Sequence, residues 1–254
     1  MLEHAILAHS VLCTPAESCG LVIASADGPQ YVPCINRSTT PNHFDILTDD
    51  YLSALAFGEV VAVVHSHPDG MSYLSEGDRA RQVASALPWW LVHDGIITRY
   101  RCVPPLLGRH FEHGVMDCYS LFRDAYHLAG IEMPDFTRAD DWWRHGENLY
   151  LDNMRETGLY PVKGDAQPGD IILMCYGCSV ANHAAIYLGD QRILHHLPNQ
   201  LSKREEYNGS WQRRTHSIWR HRDWQPSSFT AICNDLAAAS PYTLAAPLRA
   251  CMPC

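Results

Sequence analysis

The stretch PPLLGRHFEHG, residues 104–114, constrains the fold of this chain more than any other feature. Neither Pro104 nor Pro105 can donate a backbone N–H, and both have a fixed φ, so the pair fits neither a helix interior nor a central strand. Before this stretch, helical and strand patterns alternate; after it, the alternation starts afresh. A chain of 254 residues has room for two domains of ordinary size. The pattern therefore predicts an α+β protein with one domain over 1–105, a linker over 106–113, a second domain over 114–240 and an irregular tail over 241–254. No internal repeat links the two halves.

In the first half, apolar spacing predicts a helix over 2–12, stopped by Pro15. CGLVIA and YVPCI read as strands around a turn at Asp27-Gly28-Pro29. Asp49 or Asp50 is placed to cap a helix running to Phe57. VVAVVHSH is a nearly continuous β-branched run, the signature of a strand buried on both faces. A helix from Ser75 to Leu87 follows, then WWLVHDG and ITRYRCV as an antiparallel pair turning at Asp94-Gly95. In the second half, helices are expected over 117–129 and around 141–157. QPGDIILMC, NHAAIYLG and RILHH are expected to be strands.

Composition excludes several functions. The balance of 19 Lys+Arg against 28 Asp+Glu gives a net charge of −9, the wrong sign for a broad nucleic-acid or anionic-membrane surface. The apolar runs are strand-sized, well below the roughly 20 residues that span a bilayer. No basic flank precedes an apolar run at the N-terminus, so a cytoplasmic start and reduced thiols are expected for the ten cysteines. Fifteen histidines direct attention to metal ligation and acid–base chemistry.

The first candidate site is the string HSHPDGMSYLSEGD. Strand periodicity places His65 and His67 on one face, close enough for one ion to bridge. Ser75 and Asp78 follow at a helix start, where they can also act as a plain capping box. Two histidines and one aspartate leave a zinc ion its fourth position for water, and Glu17, in PAESCG, is the candidate base. The pattern H-x-H-x7-S-x2-D, preceded by a glutamate at a strand entry, resembles the JAMM family of zinc metallopeptidases over about residues 1–100. The resemblance implies an α/β/α fold and one Zn2+ held by His65, His67 and Asp78. It further implies Glu17 as general acid/base and Ser75 as donor to an oxyanion.

The second candidate site opens at DCYSLF. Asp117 is a natural N-cap that leaves Cys118 in the first helical turn, where free amides and the helix dipole are expected to favour thiolate. His183, His195 and His196 lie on one expected hairpin. A two-residue loop at Gly189-Asp190 sets His183 opposite His196; a three-residue loop centred on Gly189 sets it opposite His195. The order D-C-x-S, then P-G-D before a strand, then H-A-A-I-Y-L-G, then a histidine twelve residues on, resembles the NlpC-type cysteine peptidases. These are papain-related enzymes that cleave peptidoglycan stem peptides. The resemblance implies Cys118 as nucleophile, His183 as base and His195 as its orienting partner. The family usually has glycine after D-C-S, and here Tyr119 also intervenes, a residue expected to crowd the nucleophile.

The two modules in this order, with DDWWRHGENLYLDN and QLSKREEYNGSWQRRTHS, resemble the tail assembly proteins of lambda-like phages. That resemblance implies phage tail proteins and peptidoglycan peptide as partners, and a place in the host cytoplasm during assembly or at the tail tip. It implies neither nucleic acid nor an integral membrane segment. A non-catalytic assembly factor with vestigial sites is the competing reading. Cys175-x-x-Cys178 and Cys251-x-x-Cys254 are expected to be ordinary loop cysteines rather than a shared zinc site. Trp89-Trp90 and Trp142-Trp143 read as core anchors, the latter pair near the cysteine site, and WQRRTHSIWRHR as a solvated strand edge.

Overall fold

A computed structural model describes residues 1–40 and 42–239; the expected tail over 241–254, with Cys251 and Cys254, lies outside them. The chain divides into two compact units, one from Met1 to Val103 and the other beginning at Pro104.

The first unit runs α1 (Leu2–Cys13), β1 (Cys19–Ser25), β2 (Gly28–Cys34), α2 (Thr48–Leu55), β3 (Glu59–Ser66), α3 (Glu76–Ser85), β4 (Trp89–His93) and β5 (Ile96–Tyr100). Its five-stranded sheet has the order β2-β1-β3-β4-β5, antiparallel except for the β3–β4 pair. A parallel pair needs a crossover, and α3 supplies it. The β-branched run of β3 is buried on both faces, as its composition requires. Ala62 and Val64 pack with Ile6 of α1, while Val60 and Val63 pack with Ala54 of α2, Phe44 and Trp89. The unit is thus an α/β/α sandwich. The helix α2 starts at Thr48 after Leu47, without the aspartate cap expected. Asp94 (φ 48°) and Gly95 (φ 73°) make the tight turn read from the sequence.

The second unit runs α4 (Cys118–Leu128), α5 (Leu149–Met154), β6 (Leu159–Val162), β7 (Ile171–Met174), β8 (His183–Gly189), β9 (Arg192–His195), β10 (Lys203–Glu206), α6 (Gly209–Arg214), β11 (Thr215–His221) and α7 (Phe229–Ala238). Its six strands are antiparallel in the order β10-β9-β8-β7-β11-β6, and α4 packs on β8.

Three expectations are corrected here. The helix expected over 141–157 is broken into a single 3-10 turn, Trp142–Arg144, and the short α5, because Asp141 (φ 55°) and Gly146 (φ 83°) are left-handed. The basic stretch is not a strand edge. It forms α6 and then β11, which lies inside the sheet between β7 and β6. The β8–β9 turn is Asp190-Gln191, both at positive φ, with a bulge between Tyr187 and Gly189. Neither loop considered from sequence forms. Ala185 faces His195, so His183 meets His195 diagonally along one sheet face.

Candidate functional site

In the first unit, β3 ends with His65 and His67, and the crossover returns to Ser75 and Asp78 at the start of α3. Ser75 caps the helix: its Oγ accepts from the Asp78 amide at 3.1 Å, and Asp78 Oδ2 accepts from the Ser75 amide at 2.9 Å. The capping box and the candidate metal site therefore share Asp78. Asp78 Oδ2 lies 3.2 Å from His67 Nε2 and 3.5 Å from His65 Nε2, and the two imidazole nitrogens are 3.2 Å apart. His67 Nδ1 donates to the Met71 carbonyl at 2.8 Å, which turns Nε2 towards Asp78 and His65.

The donor set fits zinc. Bond lengths of about 2.0–2.1 Å in tetrahedral geometry put ligand atoms about 3.3 Å apart, the edge found here. His65, His67 and Asp78 form the one such cluster among the described residues. Glu17 is buried beside it, with Oε1 3.8 Å from His67 Nε2. Burial, opposed by His67, pushes its carboxyl up to about 7, a value suited to a general base. The hydrogen bonds from both histidines and Ser75 overcome burial and hold Asp78 well below the usual carboxylate range. Ser75 Oγ itself donates to Asp78 Oδ2 at 2.7 Å, so its hydroxyl is committed to the aspartate rather than offered to a substrate.

In the second unit, Cys118 opens α4 and lines a cavity of about 440 Å3 together with His183, His196, Trp142, Trp143 and Tyr150. The backbone amide of Ala184 is turned to the sulfur, placing it at the start of β8 beside His183. His183 Nε2 lies 3.1 Å from His195 Nδ1. His195 Nε2 lies 2.8 Å from Glu205 Oε2 on β10. His196 lines the same cavity, with its ring edge against Phe111.

The electrostatic expectation for Cys118 is reversed. The thiol is pushed up to about 11, first by burial and then by the Asp117 carboxylate. The helix start does not activate it, because Asp117 Oδ1 takes the Tyr119 and Ser120 amides, each at 3.0 Å, and adds its own negative charge. Burial, with His195 and His196 nearby, lowers His183 to about 3. The resting pair is therefore neutral thiol and neutral imidazole. Tyr119 does not crowd the sulfur: its hydroxyl donates to the Pro134 carbonyl and its ring lies against Phe136 and the Arg138 guanidinium. The residue on the sulfur is Tyr150, whose Oη is 3.0 Å from Cys118 Sγ.

Tyr150 and Glu205 are missed by sequence reasoning. Tyr150 lies on a six-residue helix with no motif around it. Glu205 belongs to an acid doublet whose strand, β10, carries no hydrophobic alternation. Cys175 and Cys178 are loop thiols bonded to the Ser179 and Val180 carbonyls, and Cys251 and Cys254, the other pair read from sequence, lie outside the described residues.

Comparison with known proteins gives the same two modules. Residues 1–103 match the prokaryotic homologs of the JAB domain, and residues 108–220 match the NlpC/P60 family. Tail tip assembly protein K of Escherichia phage lambda is 66% identical over 195 residues, covering 76% of this chain and 98% of that protein. Tail tip assembly protein K of Escherichia phage N15 is 38% identical over 227 residues, covering 86% of this chain and 93% of that protein. An NLP/P60 family lipoprotein-like structure from Staphylococcus aureus matches with 15% identity over 87% of this chain and 62% of that one, at a TM-score of 0.30 that carries no argument. With a JAB-like module followed by an NlpC/P60 module, and with identity of this degree along nearly the whole lambda protein, the chain belongs to the tail tip assembly protein K family.

Proposed function

We propose that this chain is a phage tail tip assembly protein that is also a two-centre peptide hydrolase, with tail proteins as partners and the stem peptides of peptidoglycan as substrate of its thiol centre. The observation that carries the reading is the relay behind the Cys118 cavity, in which His183 is held at 3.1 Å by a second imidazole on the neighbouring strand. In acyl transfer, His183 takes the Cys118 thiol proton as sulfur bonds to the scissile carbonyl carbon. The Cys118 amide, which Asp117 does not cap, and the Tyr150 hydroxyl are placed to donate to the oxyanion. His183 then returns the proton to the leaving amine, and water hydrolyses the thioester.

In the first unit, His65, His67 and Asp78 would hold zinc. Bound there, the ion supplies a water acidified towards neutral pH. Glu17, buried beside the cluster, would hold and move a proton as general acid/base, and Ser75 would reach a substrate oxygen only by giving up Asp78. The substrate class is a peptide or isopeptide bond.

The two centres are tested separately. Purified protein should release muropeptide fragments from peptidoglycan, and Cys118→Ala should release none. Equal inertness of both proteins would leave the assembly-factor reading, with vestigial sites, in place. Elemental analysis should find about one zinc per chain, lost on combining His65→Ala with His67→Ala; a zinc-free wild type purified without chelator overturns the metal centre.

A further inference from the structure

We infer that Glu205 is a positioning residue of the thiol centre, setting from the edge strand which nitrogen of His183 is basic. The inference rests on the reading of Cys118 and His183 as nucleophile and base. An ionised carboxylate can only accept, so the 2.8 Å contact requires His195 Nε2 to carry the proton. Burial keeps His195 neutral against the opposing pull of Glu205, so its Nδ1 is a bare lone pair. That lone pair accepts from His183 Nε2 at 3.1 Å. His183, neutral for the same reason, is left with Nδ1 as its basic atom.

Two linked neutral imidazoles satisfy the same hydrogen bond in either direction. Among the contacts of this relay, only the carboxylate selects one. The Trp211 ring, edge-on to His195 at 4.8 Å, imposes no direction.

The sheet is built to deliver this contact. β10 pairs with β9 so that Lys203 faces His195 and Glu205 faces Ile193. Glu205 is thus one diagonal step from His195 on the same face, within reach of a long side chain. Lys203 Nζ donates to Glu205 Oε1 at 2.9 Å, and with His195 it overcomes desolvation and holds the carboxyl below its ordinary range. The neighbouring Glu206 points to the other face and accepts from Asn208 Nδ2 at 2.7 Å. Only one acid of the doublet faces the relay, and a one-residue slip would exchange them.

The test is made on the full chain labelled with 15N in its histidine rings. In the wild type, His195 and His183 are expected to be protonated at Nε2 and bare at Nδ1. In Glu205→Lys, the ammonium can only donate to His195 Nε2, the tautomers reverse along the relay, and His183 loses its basic Nδ1. Alkylation of Cys118 by iodoacetamide at pH 7.5, followed on its own peptide by mass spectrometry, should then slow roughly tenfold or more. Glu205→Asp should keep the wild-type tautomers. Finding His195 protonated at Nδ1 in the wild type, a measurement that needs no variant, overturns the inference. So do unchanged tautomers and an unchanged alkylation rate in Glu205→Lys. Tautomers that follow Glu205 in a protein inert on peptidoglycan overturn the peptidase reading alone; peptide cleavage with tautomers indifferent to Glu205 overturns this inference alone.

Discussion

At the scale of the residue, Cys118 and His183 show how far composition around a motif can outweigh the motif. A cysteine behind an N-cap looks like an activated thiol, yet here the cap is a carboxylate that consumes two of the amides expected to do the activating. The thiol sits near 11 and the imidazole near 3 because burial penalises both charged forms. The rate of Cys118 alkylation should therefore climb steadily from pH 7 towards pH 10. A plateau beginning below pH 7 would mean a resting thiolate–imidazolium pair. Tyr150, bonded to the sulfur, belongs to the same argument: its hydroxyl meets a group that is neutral at rest and charged only during reaction.

At the scale of the element, the Pro168-Gly169-Asp170 turn explains a short motif in physical terms. Gly169 has φ 96°, and a Cβ there would fall 1.9 Å from the Trp224 ring. Asp170 is fully buried and takes both Nε and NH2 of Arg220, at 2.7 and 2.8 Å, tying the entry of β7 to β11. Gly169→Ala should destabilise the second unit by about 3 kcal/mol or more, through strain and overpacking together, read as a fall in its thermal midpoint. An unshifted midpoint would show that Trp224 moves aside freely. Elements of this kind also mark what was legible in advance. The strand β3, the Ser75 cap and the His65–His67–Asp78 spacing follow from local periodicity, and so do the start of α4 and the strand of His183. The interior place of β11, the bulge that sets His183 diagonal to His195 and the strand of Glu205 do not. These depend on partners dozens of residues away, and the strand segments concerned are too polar to announce a buried face.

At the scale of the whole molecule, stability should depend on pH through histidines that the fold keeps uncharged. His183 has a folded value of about 3 against an ordinary 6.5, so the folded form resists the proton. Above pH 6.5 nothing is lost. As pH falls below 6.5 the unfolded chain gains a proton that the folded chain does not, and stability declines until about pH 3. One such group contributes a loss of about 2 kcal/mol at pH 5. Urea titrations at pH 7 and pH 5 should show it, and His183→Asn should flatten the difference; an equal slope in both proteins would assign the acid sensitivity to other groups. Among the described residues, no helix is long and apolar enough to cross a membrane. The uncharged sulfur has one more consequence. An ionised sulfur attacks peroxides and small disulfides far faster than S–H does, and solvent barely touches Cys118. The centre should thus tolerate prolonged storage in air without reductant, with the Cys118 thiol still available to iodoacetamide afterwards.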